Sequence, residues 1–304
     1  MLKQFLILLV TTLLTTTAYA QSYPNLPTNL TPLFIYNGNV LPTNGVTGTT
    51  GMDLGYGNSF FTNNSIVSDS TAPVNCCLVN RFTYPTGMSG GTTGGQLNLW
   101  GSTGPRIPVM QYYEATYFKI VGSSFEGPGT GQWKALGYWA VGIPSGGYSG
   151  TIYNVFSVAG TSGTTSAGVL GTSWTFGIAA QGHVSWRIDA GTILADKWYR
   201  MEIYMDAGSL DTANGVLKVW LTNISDSGAA TLVINSTNRP YRTTANPDGF
   251  WNRHYTPVWG GSSFGPKTRN DFVHIAHMAA YGLVSGGGAT DVTNPNPPTG
   301  LTAQ

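Results

Sequence analysis

WYRMEIYMDAGSLDTANGVLKVWL, residues 198–221, holds two strand patterns joined by a turn. Side chains along a strand alternate between the faces of its sheet. Tyr199, Met201, Ile203 and Met205 therefore share one face, and Trp198, Arg200, Glu202 and Tyr204 the other. Beyond the turn, Leu217, Val219 and Leu221 oppose Val216, Lys218 and Trp220. The first set in each strand is apolar and reads as core. The second mixes aromatic rings with charges. Arg200, Glu202, Tyr204, Lys218 and Trp220 make up this mixed face, whose rings and charges invite a functional reading. The competing reading is a solvated outer sheet with cross-strand ion pairs, Glu202 with Lys218 or Arg200.

The same short β-rich runs recur along the chain between Gly, Pro, Asn and Asp clusters. Strands are expected over 76–84, 112–120, 133–141, 151–158, 173–179, 183–188, 198–205, 216–221, 231–234 and 271–282. No stretch of eleven or more residues keeps a helical period. Many short strands without helices between them predict a single all-β sandwich or barrel, over residues 51–283. Residues 21–50, rich in Pro, Asn, Thr and Gly, read as an exposed lead-in. Residues 284–304 have a Gly-then-Pro linker composition, and their end, PPTGLTAQ, resembles the first strand of a fibronectin type III module, so the chain is expected either to stop inside a linker or to continue into further modules.

At the amino end, Lys3 precedes an apolar run that closes on Ala18-Tyr19-Ala20. This is the pattern of a secretory signal peptide over residues 1–20, of bacterial type, and it predicts a secreted or cell-surface protein. No other run reaches the ~20 apolar residues of a membrane span. Lys and Arg number 14 against 13 Asp and Glu, so without Lys3 the charges balance, and charged residues are 9% of the chain. A typical domain has about 25%. Balanced charge excludes electrostatic capture of nucleic acid or of an anionic membrane. Nine Trp and sixteen Tyr among many amides and hydroxyls suit a neutral sugar surface. Cys76 and Cys77 are adjacent, ~3.8 Å apart at Cα, below the usual ~4.4–6.8 Å for a disulfide. Two unpaired thiols, one in the core, are preferred over a strained vicinal bond.

Four blocks together resemble the concanavalin A-like lectin/glucanase jelly rolls, in the branch of heparinase- and alginate-lyase-type polysaccharide lyases. They are NRFTYPTGMSGG (80–91), YYEATYFKI (112–120), the hairpin above, and TPVWGGSSFGPKTRNDFVHIAHMAAYG (256–282). The resemblance implies a jelly-roll sandwich of two curved antiparallel sheets, one with a concave groove for a glycan. The face of Arg200, Glu202, Tyr204, Lys218 and Trp220 would then be that groove and these its ligand-binding residues, with rings stacking on sugar faces and charges holding hydroxyls or carboxylates. It implies a carbohydrate-binding module or a lyase-like domain acting on extracellular polysaccharide. A non-catalytic adhesin or filament component is the alternative, since one fold hosts many functions.

Glycoside hydrolysis needs paired carboxylates. The Glu-x-Asp-x-x-Glu of related glucanases is absent, and Glu114, Glu126 and Glu202 stand apart. Elimination from a uronate needs a group to neutralise its carboxylate and a Tyr or His as base and acid. Gln181-Gly182-His183 and Tyr117-Phe118-Lys119 match fragments of alginate-lyase motifs, in reversed order and without the family's Arg-x-Glu-x-Arg. If the chain is an enzyme, the lyase set is His183, Tyr204, Arg187 and Arg81. Asp206, Asp211 and Asn214 crowd the hairpin turn with oxygens that calcium would accept, although such turns favour these residues for backbone reasons too. His274 and His277, three apart, are expected on opposite faces and so unsuited to one metal.

Overall fold

The structure, a computed structural model, describes residues 23–39, 50–53, 64–74, 77–87, 97–100, 109–122, 133–141, 152–160, 173–179, 188–242, 244, 250–255, 266 and 268–284. Among them are fifteen strands and no helix. The first five are β1 (Thr31–Asn37), β2 (Thr50–Asp53), β3 (Asn64–Asp69), β4 (Cys77–Tyr84) and β5 (Leu97–Trp100). There follow β6 (Val109–Val121), β7 (Trp133–Val141), β8 (Ile152–Gly160), β9 (Ser173–Ala179) and β10 (Ile188–Leu194). The last are β11 (Trp198–Asp206), β12 (Gly215–Asn223), β13 (Thr231–Arg239), β14 (Phe250–Tyr255) and β15 (Asp271–Val284).

All ladders are antiparallel. One sheet carries β4, β15, β6, β11, β12 and β13 side by side, with β3 outside β4. The other contains β5, β14, β7, β8, β9 and β10, with β2 outside β5. A single pair, Phe250 with Val109, links β14 to β6. The fold is a concanavalin A-like jelly roll, a β-sandwich of two curved antiparallel sheets.

The alternation seen in the sequence sets the core. Tyr199, Met201, Ile203, Met205, Leu217, Val219 and Leu221 are all buried. Phe82, Tyr84, Phe118, Ile120, Val273, Ile275 and Met278 join them. Burying one such aliphatic side chain is worth about 1.5–3 kcal/mol, so this inner face holds the sheet in one register. The turn between β11 and β12 closes on local bonds, with the Gly208 N–H donating to Asp206 Oδ1 (2.9 Å). Gly208, at φ +69°, occupies the left-handed region that favours glycine.

The expected exposed lead-in is corrected. Residues 31–37 form β1, which pairs with β15 from Thr31↔Gly282 to Asn37↔His277, and Leu30 and Tyr36 are buried. Tyr36 alternates into the core, where its hydroxyl accepts a hydrogen bond from Asn80 Nδ2 (2.9 Å). Proline and asparagine at either end of TPLFIYN concealed the strand. Cys77 opens β4 half-buried at φ +83°; Cys76 and the leader and linker segments lie outside the described residues.

On its edge away from β6, β15 serves two strands in succession, β4 along Asp271–Ile275 and β1 along His277–Gly282. The changeover falls at a β-bulge. Ile275 opposes Phe118 and His277 opposes Tyr117, leaving Ala276 as the extra residue. The Gly38 N–H donates to the Ala276 carbonyl (2.9 Å). A Cβ at Gly38 would lie inside van der Waals contact of the Ile275 and Ala276 carbonyl oxygens, which are backbone and cannot swing aside. Gly38→Ala is therefore expected to destabilise the fold by about 1–3 kcal/mol, read as a lowered urea midpoint with an unchanged slope. A midpoint equal to wild type would mean that the changeover tolerates crowding.

Candidate functional site

The outer face of the β4–β15–β6–β11–β12 sheet is ordered in cross-strand rows by the register of β6. The first row is Arg81, His274, Lys119 and Trp198. The second is Asn37, His277, Tyr117 and Arg200. Ala279, Ala115, Glu202 and Trp220 form the third, and Tyr281, Tyr113, Tyr204 and Lys218 the fourth. The bulge corrects the expectation for the two histidines. Lys119 and Tyr117 are two apart on β6 and share a face, so His274 and His277 opposite them share it as well.

The first row is roofed by the turn after β3. Asp69 forms an ion pair with Lys119 and accepts from His274 Nδ1 (2.8 Å), and Thr71 Oγ1 donates to Asp69 Oδ1 (2.6 Å). Trp198 Nε1 donates to Thr71 Oγ1 (3.0 Å). Burial would raise the Asp69 carboxyl, but the bonds from Lys119, Thr71 and His274 outweigh it and hold the group well below the usual carboxylate range. Val74, Val79, Tyr117, Trp198 and Ala276 close this end with an apolar cluster. Arg81 lies over the Phe272 ring, 4.9 Å from its centroid.

In the second row, His277 Nδ1 faces Asn37 Oδ1 at 3.0 Å, so the ring carries its proton on Nδ1. Its Nε2 accepts from the Tyr23 hydroxyl at 2.6 Å. Burial pushes the His277 pKa down to about 4 and keeps the ring neutral at neutral pH. Tyr117 stands edge-on to this ring, 6.0 Å between centroids, and hydrogen-bonds Arg200. Arg200 Nε donates to Glu202 Oε2 (2.9 Å), and the Tyr113 hydroxyl donates to Glu202 Oε1 (2.5 Å).

Glu202 is wholly buried. Its charge is therefore spent on Arg200 and Tyr113 instead of facing a ligand as the sequence reading expected. The ion pair runs along β11, whereas Lys218 opposes Tyr204. Burial and the neighbouring Asp206 push the Tyr204 hydroxyl up to about 12. Trp220, Lys218 and Tyr204 are half-buried.

The third row is low. Ala115 and Ala279 are flanked by Tyr113 and Tyr281 on one side and Tyr117 and His277 on the other, which leaves a slot about one ring wide. Tyr23 enters it. Its ring lies end to end with His277 and nearly parallel to it (6.2 Å between centroids, 13° between planes) and meets Tyr281 (5.9 Å) and Tyr113 (6.4 Å) edge-on. The Asn25 N–H donates to Glu202 Oε1 (3.3 Å), Asn29 Nδ2 donates to Gln111 Oε1 (2.9 Å), and Leu30 packs against Tyr113 and Ala115.

Of the expected lyase set, His183 and Arg187 lie outside the described residues, as does Glu126. Arg81 and Tyr204 share the outer face, but their rows are six residues apart along β6, roughly 20 Å. They do not meet at one bond. Glu114 points to the inner face, where Tyr112 and Thr116 donate to its carboxylate (2.7 and 2.9 Å). It therefore cannot pair with Glu202 across a substrate. Asp206 accepts from Gly208 and Gln111, Asp211 from Thr244, and Asn214 Oδ1 from Ser209, so the oxygens calcium would use hold up the turn. Among the described residues no group of three or more His, Cys, Asp or Glu could hold a metal. Sequence reasoning passed over Tyr113, Tyr281, Asn37 and Tyr23, and noted Tyr117 and His277 without placing them in the site. The alternation Tyr113, Ala115, Tyr117 was visible; the bulge that turns His277 outward was not.

The fold is of the jelly-roll class, and the resemblance to the concanavalin A-like superfamily extends to solved structures. A marine PL-14 alginate lyase from Aplysia kurodai superposes with a TM-score of 0.55 at 12% identity, covering 84% of this chain and 100% of its own. A variant alginate lyase in complex with an alginate trisaccharide superposes at 0.51 and 14%, covering 82% and 97%. At this identity the likeness is one of fold. No protein-family model and no curated protein matches the chain.

His277 gives the site an acid signature. Its folded pKa of about 4 lies below the 6.5 of the free side chain, so its contribution is full above pH 6.5 and is lost as pH falls toward 4. The loss amounts to at most about 3 kcal/mol. His274, lowered by burial against the opposing pull of Asp69, adds to this window, whereas Asp69 acts below it. Denaturation midpoints measured from pH 7 to 4 are expected to fall, and His277→Gln to flatten the fall in part. An unchanged slope in the variant would place a charged, solvated His277 in the native protein.

Proposed function

We propose that the chain is an exported glycan-binding jelly roll whose outer face takes an extracellular polysaccharide with uronate units, and that its chemistry is β-elimination. The observation that carries this is the row of His277, Tyr117 and Arg200 across three adjacent strands, beside a slot walled by aromatic rings. In this reading neutral His277 Nε2 takes the proton next to the uronate carboxylate, Arg200 with Asn37 neutralises that carboxylate, and the Tyr117 hydroxyl protonates the departing oxygen. Tyr204, Lys218 and Trp220 extend the surface along the sugar chain. The separation of Glu114 from Glu202 by the sheet itself argues against a hydrolase built on that pair. Export rests on the leader pattern of residues 1–20; no helix among the described residues is long and apolar enough to cross a membrane.

Elimination leaves an unsaturated sugar end that absorbs in the ultraviolet. Alginate, glucuronan, heparin and pectin are each incubated with the protein, with and without calcium. A rise in absorbance on one of them is expected, lost in His277→Ala and in Tyr117→Phe. A rise that survives both would move the chemistry to His183 and Arg187. Trp220→Ala is expected to weaken polysaccharide binding by about 1–3 kcal/mol without unfolding, because a half-buried outer ring gives stacking and little core. Neither turnover nor binding on any uronate, with oligomers or filaments in solution, would replace this reading by a structural adhesin.

A further inference from the structure

We infer that the segment Tyr23–Leu30 is a built-in occupant of the glycan groove, and that Tyr23 must leave its slot before a sugar ring can enter. This rests on the groove reading above and concerns its regulation. Three observations converge. The slot is shaped by the Ala115–Ala279 step between two aromatic rows, and the ring it holds is the phenol of Tyr23, six-membered and flat like the face of a sugar. The hydroxyl of that ring occupies His277 Nε2 (2.6 Å), the lone pair that elimination would use. The Asn25 N–H engages Glu202, the acid that orients Arg200. The segment thus blocks the ring site, the base and the charge centre together.

The attachment is also suited to release. β1 holds to β15 through a ladder from Thr31 to Asn37 with one irregularity between Pro32 and Phe34, but Pro24 and Pro27 lack N–H donors, and the preceding segment instead turns on itself through Leu26 N to Tyr23 O (3.0 Å) and Leu30 N to Pro27 O (3.3 Å). Asn25 Nδ2 is buried there without a hydrogen-bond partner, a cost borne only while the segment is docked. Burial by this segment also helps keep His277 neutral, so opening exposes the ring to water.

The test uses the full chain with Tyr23→Ala, and with Tyr23→Phe, which keeps the ring and loses the bond to His277. Two readouts are independent. Proton NMR follows the titration of His277 without any sugar, and calorimetry follows binding of an alginate trisaccharide and a glucuronan trisaccharide. With the slot vacated, the His277 midpoint is expected to rise from about 4 toward 6.5. Trisaccharide affinity is expected to rise about tenfold, as for a site free in only a tenth of the molecules, and Tyr23→Phe should fall between. Binding that is equal in wild type and Tyr23→Ala overturns the plug and leaves the groove. A His277 titration unchanged in Tyr23→Ala overturns it as well. Binding to neither protein, with the His277 shift present, overturns the glycan reading and the regulatory role with it.

Discussion

The outer face depends on the pairing of β6 along both of its edges. β15 runs beside it from Val109 to Val121 and β11 from Gln111 to Lys119. Alternate residues of β6 therefore fix which side chains of three strands meet on each side. A slip of one residue would send Tyr113, Tyr117 and Lys119 into the core and bring Tyr112, Glu114 and Phe118 out. The apolar inner face makes that slip costly, so the chemistry outside is positioned by packing inside.

Within that frame, charge is handled sparingly. Two acids are buried under cationic or hydroxyl donors, Asp69 above the first row and Glu202 in the third. Breaking one partner of a buried pair leaves an uncompensated charge, typically at a cost of about 3–5 kcal/mol. Among the described residues, Asp69 with Lys119 and Glu202 with Arg200 are therefore closed locally.

The hairpin was legible in the sequence because its alternation is strict and its inner residues are large and apolar. The strands at 133–141 and 173–179 were legible for similar reasons, and their bounds coincide with β7 and β9. β1, β2, β3, β5, β10 and β14 were not, being short or interrupted by proline, glycine and asparagine, and the strand expected over 183–188 lies outside the described residues except for Ile188. The site was legible in part. Arg200, Glu202, Tyr204, Lys218 and Trp220 do share one face, but sequence gives no measure of how deeply Glu202 sits. His277 was lost to a single bulge residue, since period-two reasoning fails wherever one strand carries an extra residue. Tyr23 was lost because a segment without periodicity offers no hint of what it lies against.

The covalent connection between Tyr23 and β1 has a consequence for what the groove can select. A ring held on a short tether presents itself to its slot at an effective concentration of order millimolar. A single sugar competes against that supply one ring at a time and is outnumbered at ordinary concentrations. A polymer that lies along several rows gains affinity from each, so displacing one tyrosine is a small part of its total. On the proposed glycan reading, the groove would respond to chain length before sugar identity and pass over short fragments.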